Sequence, residues 1–158
     1  MTTETTTNDR VFLDASILFS IGQTETGLFQ LGELADKGQC MLLASRYAIE
    51  KAIRNLRRFD DLKTLEGHLS SVQVVFEPDV RLRCPIELPR RARAVFMAAI
   101  SSKADYFLTG DIECFGRYLG QRIMGVKICS PRGYLLEKQS KNVPHQSPRT
   151  SLKATSLE

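Results

Sequence analysis

Arg10-Val-Phe-Leu-Asp14-Ala-Ser16 is the stretch on which the fold class turns. Val11, Phe12 and Leu13 form an apolar run without polar alternation, the pattern of a short strand buried on both faces. An acid and two small residues end it. In an open parallel sheet ligands gather outside the carboxyl ends of the strands, so Asp14 stands where chemistry is done. The same residue also suits an N-cap for the helix that follows. Ala104-Asp-Tyr-Phe-Leu-Thr-Gly-Asp111, far along the chain, repeats the arrangement of apolar run, turn and acid.

Working outward, residues 16–19 predict a helical turn and 26–37 a helix with Leu28, Leu31, Leu34 and Ala35 on one stripe, stopped by Gly38. Residues 40–44 read as a second buried strand. Ser45 is an N-cap for a helix to about residue 58, on which Ala48, Ile49, Ala52, Ile53 and Leu56 keep a helical period and Glu50 lies near the carboxyl edge of the sheet. A helix over 60–69 and a strand over 72–76 follow. Pro78 and Pro85 mark a loop, and Pro89 opens a helix carrying Ala92, Val95, Phe96, Ala99 and Ile100 on one face. Residues 105–109 form the fourth strand, Asp111 caps a short helix to about residue 120, and 126–129 form a fifth strand. Strands alternating with helices at this spacing predict an α/β fold in three α/β/α layers with a five-stranded parallel sheet. Right-handed crossovers then bring Asp14, Glu50 and Asp111 to one edge.

The 158 residues suit one domain, with 42% hydrophobic and 25% charged residues. The expected division is a flexible leader over 1–9, a domain over 10–137, and a disordered basic tail over 138–158, where the hydrophobic pattern gives way to Ser, Thr, Lys and Pro. The apolar runs fall short of the roughly 20 residues that span a bilayer, and the first ten residues lack a signal-peptide core; both predict a cytoplasmic protein away from membranes. Cys40, Cys84, Cys114 and Cys129 show no C-x-x-C pairing and read as reduced thiols. His68 and His145 lie far apart and support no histidine metal site or relay.

Three carboxylates at one edge repel each other, by about 4 kcal/mol per pair at 4 Å and an effective dielectric near 20. A hard divalent cation offsets that repulsion, and Mg²⁺ (or Mn²⁺) held by a few carboxylates and waters beside a phosphate is the usual arrangement. Such an ion supports phosphodiester hydrolysis without a histidine.

Three motifs carry a resemblance to a known family: Val11-Phe-Leu-Asp14-Ala-Ser16, Ser45-Arg-Tyr-Ala-Ile-Glu50 and Leu108-Thr-Gly-Asp111-Ile-Glu-Cys-Phe115. Their order and spacing over residues 10 to about 136 resemble the PIN-domain metal-dependent ribonucleases, which include the toxin halves of bacterial toxin–antitoxin pairs. The resemblance implies strand order 3-2-1-4-5, an RNA substrate, an antitoxin partner that blocks the site, and a homodimer. It implies Asp14 and Asp111 as metal ligands and Glu50 as a ligand or a positioner of metal-bound water. The chain departs from the family in one place: an acid early in the helix before the fourth strand aligns with Ala92. Glu113, or Glu87 just before that helix, stands near enough in sequence to fill in. Glu113 equally suits a first-turn acid that favours the helix dipole.

The net charge of +4 suits a polyanionic partner. Arg46, Arg54, Arg90, Arg91 and Arg93 are the expected holders of RNA backbone phosphates, since acids alone would repel the strand. Ser16 and Thr109 are expected to hydrogen-bond a carboxylate or a metal-bound water. With no Trp, no stacking surface for base readout is expected. Two functions follow: a metal-dependent endoribonuclease of the toxin kind, or a PIN-like module, catalytically weak or inactive, that binds RNA or a protein. A haloacid-dehalogenase phosphatase wants a second acid where Ser16 stands, and a receiver domain wants an acidic pair and a phospho-accepting Asp ending its third strand, which Val72 to Phe76 lacks. No P-loop or G-x-G-x-x-G follows the first strand.

Overall fold

A computed structural model describes residues 8–23, 29–78 and 82–142. The leader over 1–7, the start of the predicted helix at 26–28, and the tail from 143 lie outside the described residues. The strands are β1 (Asp9–Leu13), β2 (Cys40–Ser45), β3 (Val72–Val75), β4 (Tyr106–Leu108), β5 (Arg122–Ile123) and β6 (Val126–Cys129). The helices are α1 (Ala15–Gly22), α2 (Phe29–Asp36), α3 (Arg46–Asn55), α4 (Phe59–Leu69), α5 (Arg90–Ser101), α6 (Ile112–Phe115) and α7 (Pro131–Asn142).

The sheet order is β3-β2-β1-β4-β6-β5. Every pairing is parallel except β5 with β6, which is antiparallel. The expected all-parallel sheet of five is therefore a mostly parallel sheet of six. The added strand comes from a two-residue hairpin at Met124 and Gly125, both with positive φ, which turns Ile123 back onto Val126. Positive φ at both turn residues matches the right-handed twist of the flanking strands. Met in place of the usual Asn or Asp hides that turn in the sequence.

β1 sits at the centre because its last three residues need no water. Val11, Phe12 and Leu13 are all fully buried, so both faces of the strand are covered. Phe107 of β4 joins it, with its ring 5.7 Å from Phe12, 5.3 Å from Phe96 and 4.8 Å from Phe115. These aromatic contacts tie β1, β4, α5 and α6 into one core. α1 packs against α3 and α4. Among the described residues no helix is long and apolar enough to cross a membrane.

The domain also extends past its expected carboxyl limit. α7 continues to Asn142, and Lys138, assigned to a disordered tail by composition, is buried with its ammonium 2.6 Å from Asp9 Oδ2. Asp9 is correspondingly the first residue of β1 rather than the last of a leader. A sequence window sees Lys138 as one polar residue among many, whereas its partner is 129 positions away.

Candidate functional site

The carboxyl ends of β1 and β4 are stitched together by backbone and side chain. The Asp14 N–H donates to Leu108 O at 3.0 Å, which sets the turn after β1 beside the turn after β4. Two hydroxyl relays then converge on one carboxylate oxygen. Asp111 N–H donates to Thr109 Oγ1, whose hydroxyl donates to Asp14 Oδ2 at 2.7 Å. Gly110 N–H donates to Ser16 Oγ, whose hydroxyl donates to the same oxygen at 3.2 Å. Asp14 Oδ1 accepts the Ala15 N–H at 2.8 Å, which caps α1. Asp14 is thus both an N-cap and a residue of the cavity above the strand ends. Thr109 and Ser16 are its positioning residues.

Burial pushes the Asp14 carboxyl above its ordinary range, against the pull of the hydrogen bonds from Thr109, Ala15 and Ser16; the charge of Asp111 adds to the rise. The native state therefore keeps this proton at pH values where the unfolded chain, at about 3.8, has lost it. Stability from this group falls as pH climbs from that unfolded value through the higher folded one. Urea unfolding at pH values of about 4 and 7 should show wild type losing more stability over the interval than Asp14→Asn, which cannot titrate. An equal or larger loss in the variant would overturn this account.

Asp111 lies partly buried at the start of α6, with Oδ1 accepting the Cys114 N–H. A cavity of about 630 Å³ opens over the two acids, lined also by Ser16, Phe19, Ser20, Lys51, Asn55, Arg91, Ala92 and Phe115. The structure brings Asp14, Asp111, Ser16 and Arg91 together here. It does not bring Glu50. That carboxylate is 55% exposed, 3.6 Å from Arg46, and outside the cavity lining. The next residue, Lys51, is in the lining instead.

The reason is the rotational setting of α3. Ser45 Oγ accepts the Ala48 N–H, and Glu77 Oε2, at the end of β3, accepts the Tyr47 N–H, which pins the helix start. Ala48 and Ala52 are fully buried and mark the inward stripe. Lys51 and Asn55, one turn apart, flank that stripe on the cavity side, while Arg46, Glu50 and Arg54 share an exposed stripe. Lys51, Asn55 and the capping Glu77 are the residues that sequence reasoning missed. Only the acid just after a strand signalled Glu77.

Glu113 is 86% exposed and 3.1 Å from Arg91, on the rim rather than over Asp14. Thr109 is buried; Arg90 and Arg93 are exposed, as are Arg46 and Arg54. Arg93 joins Arg83, Arg117, Glu87 and Glu113 around a second cavity of about 850 Å³. Ala92 presents only a methyl group to the first cavity, where the family resemblance asks for an acid.

The donor set can be weighed against a divalent cation. It holds two carboxylates, one already accepting three hydrogen bonds, beside two cationic side chains. Among the described residues no group of three or more His, Cys, Asp or Glu is arranged to hold a metal. Hard cations want several oxygen ligands and net negative charge, so these residues do not fit a divalent ion held mainly by protein. The cysteines add no ligand: burial pushes the thiols of Cys40 and Cys114 up to about 11 and that of Cys129 to about 12, which keeps them protonated at neutral pH. No family model matches the chain, and no curated protein is similar enough to count as a relative.

Proposed function

We propose that the chain is a PIN-like domain that binds RNA through its phosphates and cleaves it weakly or not at all. The observation that carries this reading is the charge of the cavity over Asp14 and Asp111. Lys51 and Arg91 line it, and Ala92 supplies no third acid. Two cations in the same lining as two carboxylates leave the cavity without the net negative field that draws in a metal, and they are groups that attract an anion. The exposed Arg46, Arg54, Arg90 and Arg93 extend that attraction to neighbouring phosphates. The PIN-like reading is supported by the mostly parallel sheet, whose order β3-β2-β1-β4-β6 roughly matches the expected one, with the antiparallel β5 added at the edge.

A second reading, the metal-dependent endoribonuclease of a toxin–antitoxin pair, is favoured by one feature: Asp14 and Asp111 do face the same cavity. On that reading Asp14 and Asp111 would hold Mg²⁺ or Mn²⁺, which would supply Lewis-acid activation of a water.

One experiment separates them. The full chain is mixed with a fluorescent single-stranded RNA in EDTA and then in Mn²⁺, and both anisotropy and fragment length are read. The expected result is binding in both solutions, weakened by salt with a slope of about 0.7 per phosphate contacted, and intact RNA. Cutting that requires Mn²⁺ and is lost in Asp14→Asn would replace this reading with the nuclease. Absence of RNA binding in either solution would reject both.

A further inference from the structure

We propose that Lys51, with Arg91 and Asn55, makes the cavity over Asp14 a metal-free site for a phosphate group. The inference deepens the RNA-binding reading and rests on it for the identity of the ligand, though not for the existence of the site.

Lys51 is half-buried on the cavity wall and makes no ion pair among the described residues. Partial desolvation leaves that ammonium with more to gain from an anion than a fully solvated one would have. The nearest acid in sequence, Glu50, points to the outer stripe and faces Arg46. The helix cannot exchange the two without lifting Ala48 and Ala52 out of the core.

Arg91 is the second cation. It gives one hydrogen bond to the exposed Glu113, and a guanidinium has five N–H donors in a fork that matches phosphate oxygens. Asn55, one turn beyond Lys51, adds an amide donor on the same face. The apolar part of the wall, Ala15, Phe19, Ala92 and Phe115, reduces solvent screening of these charges.

The two acids do not close the site to anions. The Asp14 carboxylate is turned into its own hydrogen bonds with Thr109, Ser16 and Ala15. Asp111 spends Oδ1 on the Cys114 N–H. Its other oxygen suits an anion that carries a proton, and a phosphate monoester, with a second pKa near 6, carries one for part of the time at neutral pH. On RNA a terminal phosphomonoester supplies that proton, whereas an internal phosphodiester carries none and would be held by Lys51, Arg91 and Asn55 alone.

The test titrates inorganic phosphate into the full chain by calorimetry in EDTA, then repeats the titration with 5′-phosphorylated and 5′-hydroxyl forms of one short oligoribonucleotide. Phosphate binding in EDTA, weakened at least fivefold in both Lys51→Gln and Arg91→Gln while circular dichroism is unchanged, is the expected result. A fivefold preference for the 5′-phosphorylated strand assigns the site to chain ends, and equal affinity assigns it to internal phosphates. Lys51→Glu, which places a third carboxylate in the cavity, should lose phosphate and gain heat on Mn²⁺ titration. Phosphate affinity unchanged within twofold in both Gln variants, or binding seen only with Mn²⁺, overturns the proposal. If RNA affinity then falls in Arg54→Gln or Arg90→Gln, the RNA-binding reading survives without this site. Phosphate bound through Lys51 with no affinity for either oligonucleotide would instead keep the site and reject RNA as its ligand.

Discussion

Asp9→Ala is expected to destabilise the domain by about 3–5 kcal/mol, although Asp9 lies far from the cavity over Asp14. Asp9 Oδ2 receives the Lys138 ammonium at 2.6 Å and the Tyr134 hydroxyl at 3.1 Å. Lys138 is 7% exposed and Tyr134 fully buried. Removing the carboxylate leaves a cation in a low-dielectric pocket with no anionic partner, and a hydroxyl without this acceptor, so the cost is that of an uncompensated buried charge. The pair itself is not the source of that energy. Exchanging both ions for apolar residues of similar volume, as in Asp9→Leu with Lys138→Met, should recover most of the loss. Urea denaturation of the two variants measures this directly. A loss below about 1 kcal/mol in Asp9→Ala would mean that water reaches Lys138 and the clasp of α7 onto β1 is open.

Phe107→Ala carries the second large effect, again about 3–5 kcal/mol. The ring is fully buried and touches the rings of Phe12, Phe96 and Phe115, which come from three different elements. Truncation removes the transfer energy of the ring and leaves a void that a sheet strand cannot collapse to fill. The site should feel it as well. Leu108, the next residue, accepts the Asp14 N–H, and Thr109 follows with its hydroxyl on Asp14. Phe107→Leu, which keeps more of the volume, is expected to cost markedly less. Equal losses in the two variants, by thermal or urea unfolding, would overturn this account, since they would show that the volume restored by Leu recovers nothing and that the ring contacts alone carry the loss.

Much of the frame was legible locally. β1 and β4 announce themselves as unbroken apolar runs, because a strand covered on both faces has no position for a polar side chain. Ser45 and Asp111 cap their helices as read, because an N-cap needs only a short acceptor and the free N–H groups of the next turn. Asp14 and Asp111 come to one cavity because β1 and β4 are adjacent parallel strands and so end at the same edge. These inferences draw on neighbours within a turn, or on the parallel sheet that alternating strands and helices imply.

Glu50 and Lys51 show where local reading stops. A stripe drawn through Ala48, Ile49, Ala52, Ile53 and Leu56 leaves these two residues at nearly equal angles on either side of it. The structure buries Ala48, Ala52 and Leu56, leaves Ile49 half-buried and turns Ile53 out to solvent, with α1 packed against α3. That turn of the helix puts an ammonium, not a carboxylate, over Asp14 and Asp111. The clasp of Lys138 on Asp9 follows the same logic across 129 residues. By itself, the sequence determined most of the strands and helices (though not β5 or α7), where two of the helices are capped, and that two acids end neighbouring strands. Only the tertiary structure decided which side chains of α3 and α7 turn inward, since that depends on the surface each helix lands on and no periodicity within one helix encodes its neighbour.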